Sequence, residues 1–361
     1  MPPANPVMSS PLMASPPEGV GVGQHIVGLA PSIVDVVARL PADTWQHCLS
    51  LIGRRPGEWR RIDADVARAL LTVIVGADAS HVLLHTETDL PSDVVIRPGS
   101  TVANALSVIP PRDGLRRTFV STVGVRGDAW DPLSQFFRAA IEAIGIAHHA
   151  VPVVGDNPVV FVLSSHAQVD RTLAMFPGVA DELGDFDLGG LAPTLVLADV
   201  YNLGPHPFGR YVDRMITSKR HAVLLSLGNH TILTGGDRAQ QVRRYIDDGC
   251  LVGLCGNIQE YEALYPDLGP GDDRIHRLLD RVAASVPYAL VTRGADGMVA
   301  TWDGHRTEMP AISLPIEEIV NTSGAGDAAC GMFAAGIISG DLPAWTLQQA
   351  TIAATQALRR F

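Results

Sequence analysis

The sequence predicts an α/β protein whose main element is a doubly wound parallel sheet, with a shorter antiparallel β excursion set into its first half. Two observations predict this. From residue 193 onward, strand-like runs at 194–198, 222–227, 251–254 and 288–291 are separated by helical segments near 208–218, 237–248, 258–265 and 273–285. That alternation lays strands parallel with helices packed on the sheet. Earlier, β-like runs at 150–154 and 159–164 follow each other with no helix between them, and read as a separate antiparallel piece. The chain has 361 residues, 47% hydrophobic and 18% charged. This is ordinary globular composition, at a length that suits one large domain with an appendage, or two domains.

Residues 1–23 are rich in Pro, Ser, Met and Gly and carry no lysine or arginine. They read as a disordered tail, because a signal peptide would need a basic leading region. Ordered structure is expected from Gln24. Apolar, β-rich runs at 25–29 and 33–40 are broken by Ala30-Pro31-Ser32. Residues 56–75 carry a helical period around Val66, Ala69, Leu70, Leu71 and Val73, and 82–85 is a short strand-like run. Pro98-Gly99-Ser100-Thr101 turns into a helix over 102–109, 119–123 is a strand ending at Gly124, and 132–144 is an amphipathic helix. Past the alternating segments, Asp303-Gly304 is the turn of a late hairpin. The chain then returns through 317–320 and ends in a helix over 343–358.

Charge and cysteine usage exclude several function classes. Net charge is −11, with 38 acidic against 27 basic residues, which gives no support for binding nucleic acid or an anionic membrane. Lys219 is the single lysine, so nearly all positive charge is arginine, whose planar fork suits phosphate. Cys48, Cys250, Cys255 and Cys330 have no CxxC spacing and no histidine cluster beside them, against a zinc site or a disulfide scaffold. No apolar run reaches transmembrane length. A reduced, cytoplasmic protein is expected.

The stretch Asn321-Thr322-Ser323-Gly324-Ala325-Gly326-Asp327 holds the most chemical information. Small residues and glycines run into one carboxylate and then into an apolar helix. Backbone amides bared by glycine at a helix start form an anion site, and an aspartate at its edge can take a proton from an attacking hydroxyl. The plainer reading is a tight turn whose aspartate suits the helix dipole. There is no Walker A sequence, and no GxGxxG follows a strand.

Three further segments sit where a parallel sheet presents ligands, at strand carboxyl ends, or near the amino terminus. Asn257 and Glu260 follow the strand at 251–254 and share one helix face. They can orient waters on Mg²⁺, or they can be a helix cap with its capping-box glutamate. Thr292, Gly294 and Gly297 follow the strand at 288–291 and can approach a polyphosphate, or form a β-turn. Asp35, inside an apolar run, can bind paired sugar hydroxyls or face solvent. Gly99, Ser100 and Asn104 form another glycine-led turn with an amide one helical turn further on.

Taken together these residues resemble the ribokinase/PfkB-type carbohydrate and nucleoside kinases. Residues 321–327 match that family's Asp-Thr-x-Gly-Ala-Gly-Asp with Asn in the first position, Asn257-x-x-Glu260 matches its Asn-x-x-Glu, and Thr292-x-Gly294-x-x-Gly297 its phosphate turn. Asp170-Arg171-Thr172 is similar to its acidic-Arg-Thr segment and Gly124-x-x-Gly127-Asp128 to its Gly-x-x-Gly-Asp. The resemblance runs over roughly residues 24–360. It implies a three-layer α/β/α, ribokinase-like core over 24–361 with a small β-sheet lid from about 36–97 and 150–175.

It also implies a mechanism. ATP lies along the carboxyl edge of the sheet, near Asn257, Thr292, Gly294, Gly297 and Thr322. Gly324, Ala325 and Gly326 form the anion hole, and Asp327 is the general base. Mg²⁺ is held through water by Asn257 and Glu260, with a monovalent cation as an optional addition. Asp35, Gly99, Ser100 and Asn104 hold a sugar, cyclitol or nucleoside acceptor, with Arg171 assisting from the lid. A homodimer is an option that the exposed edge of a lid sheet leaves open.

The long stretch between Asp35 and Gly99 resembles the adenosine-kinase-like branch, as does Pro31 four residues before Asp35. Three departures bear on substrate. Ala30 stands where that branch has Asn, Ser100 where the family has a second glycine, and Thr351 where it often has Asn. Ser100 would narrow the acceptor pocket or offer it a hydroxyl. The sequence ends at Phe361, soon after the last helix, so one wall of the base pocket is expected to be open or completed by a partner subunit. The leading reading is phosphoryl transfer from ATP to a primary hydroxyl of a sugar-like acceptor. A nucleoside kinase is the second reading, and a non-catalytic sugar or nucleotide sensor on the same scaffold the third.

Overall fold

The computed structural model describes residues 24–53, 59–75, 90–166, 168–183, 186–234, 236–269, 271, 273–319, 322 and 324–359, with only the backbone at 168–171. The tail expected at 1–23 and the strand-like run at 82–85 lie outside the described residues. In chain order the strands are β1 (Gln24–Leu29), β2 (Val34–Leu40), β3 (Trp59–Arg61), β4 (Val94–Pro98), β5 (Leu115–Arg126), β6 (Ala129–Trp130), β7 (Ala147–Val154), β8 (Val159–Ser165), β9 (Gln168–Phe176), β10 (Leu195–Asp199), β11 (Val223–Ser226), β12 (Gly253–Asn257), β13 (Tyr288–Thr292), β14 (Met298–Trp302) and β15 (His305–Met309). The helices are α1 (Ala42–Ile52), α2 (Ala64–Val75), α3 (Thr101–Ser107), α4 (Pro132–Ala143), α5 (Pro207–Thr217), α6 (His230–Leu233), α7 (Asp237–Asp247), α8 (Ile258–Leu264), α9 (Arg274–Ala283), α10 (Ala325–Ser339) and α11 (Pro343–Leu358).

Ten strands form the main sheet, ordered β15-β14-β13-β12-β11-β10-β1-β5, with β6 and β7 both on β5. The seven from β13 to β7 are parallel, and β14, β15 and β6 are antiparallel additions. Successive residues of the parallel strands point to opposite faces. Leu195 and Leu197 enter one apolar cluster with α3, α10 and α11, while Val196 and Ala198 enter another with α5, α7, α8 and α9. A parallel sheet buried on both faces by helices is the three-layer arrangement.

The second sheet is ordered β3-β9-β8-β2-β4. Helices α1 and α2 pack beside it, burying Trp45, Cys48, Leu49 and Ile52 from one and Ala67, Leu70, Leu71 and Ile74 from the other. The spacing of those α1 positions is helical, a signal that the sequence reading passed over. One boundary is corrected. Residues 150–154 belong to β7, which runs parallel to β5 in the main sheet. The reason is the amphipathic α4, which buries Leu133, Phe137 and Ile141 and supplies the crossover between β5 and β7. In the second segment the small sheet therefore begins at β8. Among the described residues no helix is long and apolar enough to cross a membrane.

Helix α10 is buried without a break from Ala328 to Ile337, so it has no polar face and runs inside the core. Helix α3 crosses it closely: a Cβ on Gly331 would lie 1.9 Å from the Ala105 carbonyl oxygen. We predict that Gly331→Ala lowers stability by about 1–3 kcal/mol in urea unfolding, because overpacking outweighs alanine's better helix propensity. A neutral or stabilising result would contradict this packing.

Candidate active site

The chain builds β5 and β7 on one side of β1 and β10 to β13 on the other. The gap between β1 and β10 is thus the point where strand order reverses, and ligands of open parallel sheets bind at the carboxyl edge there. A cavity of about 330 Å³ opens along that edge. Its wall takes Tyr201 after β10, Ser226 at the end of β11, Asn257 at the end of β12 and Thr292 at the end of β13. The opposite wall is Thr322, Gly324, Gly326 and Asp327, and Leu173 of β9 reaches it from the small sheet.

Gly324 caps α10 in the left-handed conformation, φ 84°, and among the described residues no side chain caps the first amides. These are the unpaired N–H groups that make a helix start an anion site. Asp327 stands in the first turn and keeps part of its surface open toward the cavity. Its Oδ2 accepts a hydrogen bond of 3.0 Å from Asn104 Nδ2 on α3. Burial pushes its pKa up to about 6, while the Asn104 hydrogen bond and the Arg97 charge pull it down.

Asp35 lies on β2 directly opposite Arg97 on β4. Burial pushes Asp35 up to about 7, with Arg97 opposing the rise and Asp327 adding to it. The carboxylate packs onto Gly99, where a Cβ would sit 2.1 Å from Asp35 Oδ1, so only glycine leaves room for it. Ser100 keeps a glycine-like backbone, φ 79°, a conformation that costs a residue with a Cβ. Its hydroxyl accepts from the Ala103 N–H at 3.4 Å, capping α3. Ser100 thus starts the helix that bears Asn104.

Asn257 and Glu260 form the complete capping box. Asn257 accepts from the Glu260 N–H at 2.9 Å, Glu260 accepts from the Asn257 N–H at 2.9 Å, and Asn257 Nδ2 donates to Glu260 at 2.7 Å. Both also line the cavity, so cap and site are one device. Burial pushes Glu260 up to about 7, with Asp327 adding to the rise. Thr292 lines the cavity, but Gly294 and Gly297 are not in its wall. Gly297 packs instead on the backbone of Met309–Ala311, and Arg293 pairs with Glu308 at 3.3 Å. The turn after β13 is held largely by its own hairpin.

Asn321, Ser323 and the Arg171 side chain lie outside the described residues. Thr351 is buried and donates to the Leu347 carbonyl of its own helix. Sequence reasoning missed Asp199, which ends β10 at the strand-order reversal. It accepts from the Asn202 N–H and Nδ2 at 3.1 and 2.7 Å, and burial pushes it up to about 7, with Asp327 adding to the rise. A carboxylate closing a wholly buried strand was the available signal. Arg97 was also missed, since only the pairing of β2 with β4 brings it to Asp35.

The sequence profile of the pfkB family carbohydrate kinases matches residues 98–361. A stretch of 51 residues is 43% identical to adenosine kinase 1 of Arabidopsis thaliana, covering 14% of this chain and 15% of that protein. The fold is similar to that of adenosine kinase from Sinorhizobium meliloti, with a TM-score of 0.73 and 20% identity over 94% of this chain and 95% of the other. It is similar also to a probable sugar kinase from Rhizobium etli, with a TM-score of 0.72 and 19% identity over 94% of each chain.

A carboxylate whose pKa is raised by folding destabilises the fold once it ionises. Unfolded aspartate ionises near pH 4 and Asp327 near 6, so its ionisation costs stability as pH rises through that window. Asp327→Asn is expected to raise Tm at about pH 8, with the gain disappearing near pH 4. An unchanged or lower Tm at about pH 8 would contradict the burial of this charge.

Proposed function

The chain belongs to the pfkB family of carbohydrate kinases, and we propose that it transfers the γ-phosphate of ATP to a primary hydroxyl of a sugar or sugar-like acceptor. The observation that supports this most is the placement of Asp327 in the first turn of α10, lining a cavity on the carboxyl edge of the sheet. In this reading the amides of Gly324, Ala325 and Gly326 receive the charge that develops on the phosphoryl group. Thr292 and Thr322 border the nucleotide phosphates from opposite walls. Asp327 removes the proton of the attacking hydroxyl, and a pKa of about 6 leaves it ionised yet basic at neutral pH. Asn104 holds that carboxylate at 3.0 Å, and Asp35 takes the acceptor's other hydroxyls.

The donor set fits a hydrated Mg²⁺. Among the described residues no three His, Cys, Asp or Glu side chains gather as metal ligands. Asn257 and Glu260 are committed to each other, so they would hold the ion through water. Bound there, the ion supplies neutralisation of phosphate charge. The raised pKa of Glu260 reflects a buried negative site that a cation would relieve.

A nucleoside acceptor is the second reading, favoured by the similarity to adenosine kinases and opposed by Ala30, whose methyl offers no amide to a base or ribose. ATP consumption over a nucleoside panel and a sugar and cyclitol panel separates the two. Ligand binding without transfer on either panel would favour a sensor. With a working acceptor, Asp327→Asn is expected to lower kcat by about 10³-fold or more while calorimetry finds ATP affinity within about threefold of wild type. Unchanged turnover would overturn the role of Asp327.

A further inference from the structure

The small sheet brings a cation to the two carboxylates of the acceptor side. Asp35 and Arg97 are direct partners across the antiparallel strands β2 and β4, so their side chains stand on the same face. Arg97 Nε lies 3.9 Å from Asp35 Oδ2, the two side chains being 26% and 13% exposed. Two residues after Arg97, Gly99 seats the Asp35 carboxylate, and Ser100 then starts the helix that carries Asn104 to Asp327. Among the described residues, the titratable or charged groups that act on Asp327 or are acted on by it are Asp35 on β2, Arg97 on β4, Asp199 at the end of β10, Tyr201 in the turn after it and Glu260 on α8. Arg97 is the positive one.

Building on the kinase reading, we propose that Arg97 is a positioning residue: it fixes Asp35 beside the base and offsets the negative charge that Asp35 and Asp327 share. Two carboxylates close together in a desolvated site do not both ionise readily without a cation. The chemistry asks both to be charged at once, Asp35 to accept hydroxyl hydrogen bonds and Asp327 to accept a proton. Arg97 meets that need from the small sheet, touching neither reacting atom. Because the charge is borne by a strand next to the acceptor's side, seating of that strand and readiness of the base are linked.

The test labels the protein with ¹³Cγ-aspartate and follows carboxyl titrations by NMR without substrates, using Asp35→Asn and Asp327→Asn for assignment. In Arg97→Gln both titrations are expected to move up by about one pH unit, and Arg97→Lys to restore most of the shift. Titrations that stay in place in Arg97→Gln overturn the proposal. In turnover, the loss of kcat/KM in Arg97→Gln at about pH 6 should exceed that at about pH 8 by about tenfold. An equal loss at every pH, unrescued by lysine, would mark Arg97 as packing only and also overturn it. If the wild-type protein transfers phosphate to no acceptor, the kinase reading fails, while the NMR titrations still decide the role of Arg97.

Discussion

A carboxylate has to be kept in a desolvated place at the start of a helix that is itself buried, and much of the structure answers to that requirement. Asp327 sits in the first turn of α10, where Gly324, Gly326 and the carboxylate itself line the cavity before the helix enters the core. The helix can enter because its residues past Asp327 carry no charge and α3 lies close against it at Gly331. That same contact delivers Asn104 to within 3.0 Å of the carboxylate. Packing and chemistry are therefore set by one helix crossing, and a change in either alters the other.

Around this point the structure gathers negative charge. Asp35, Asp199 and Glu260 all have pKa values raised by burial, and each is raised further by Asp327. An arrangement of this kind is costly to an empty protein and useful to one that binds cations, hydroxyl donors and protons. The local costs are offset by specific bonds: the capping box for Glu260, the turn amide and side chain of Asn202 for Asp199, and Arg97 for Asp35. The capping box also serves the fold, since Asn257 ends β12 and starts α8.

The alternation of strand and helix after residue 193 was legible in the sequence because period and turn chemistry are local, and β10 to β13 lie where that pattern places them. The segment holding Asp327 was legible because glycine and a carboxylate at a helix start have few other uses together. What escaped was what register decides. Nothing in the run from Val94 to Pro98 says that Arg97 faces Asp35, because that follows only when β2 and β4 pair. The run at 150–154 reads as part of the small sheet yet pairs with β5 for the same reason: a β-run names its partner only through the helix that carries the chain to it. That the Ser100 hydroxyl accepts the Ala103 amide at the start of α3 was not legible either, since it depends on the backbone of the turn. Of the motif after β13, Thr292 lines the cavity while Gly297 packs on its own hairpin.

In the proposed reaction Asp327 takes a proton and never the phosphate. The stereochemical course at phosphorus tests this most directly. With ATP made chiral at the γ-phosphorus by oxygen isotopes, a single in-line displacement by the acceptor hydroxyl inverts configuration. Inversion is expected in the phosphorylated product. Net retention would mean two displacements through a phosphorylated enzyme group, with a carboxylate as nucleophile, and would contradict the role given to Asp327.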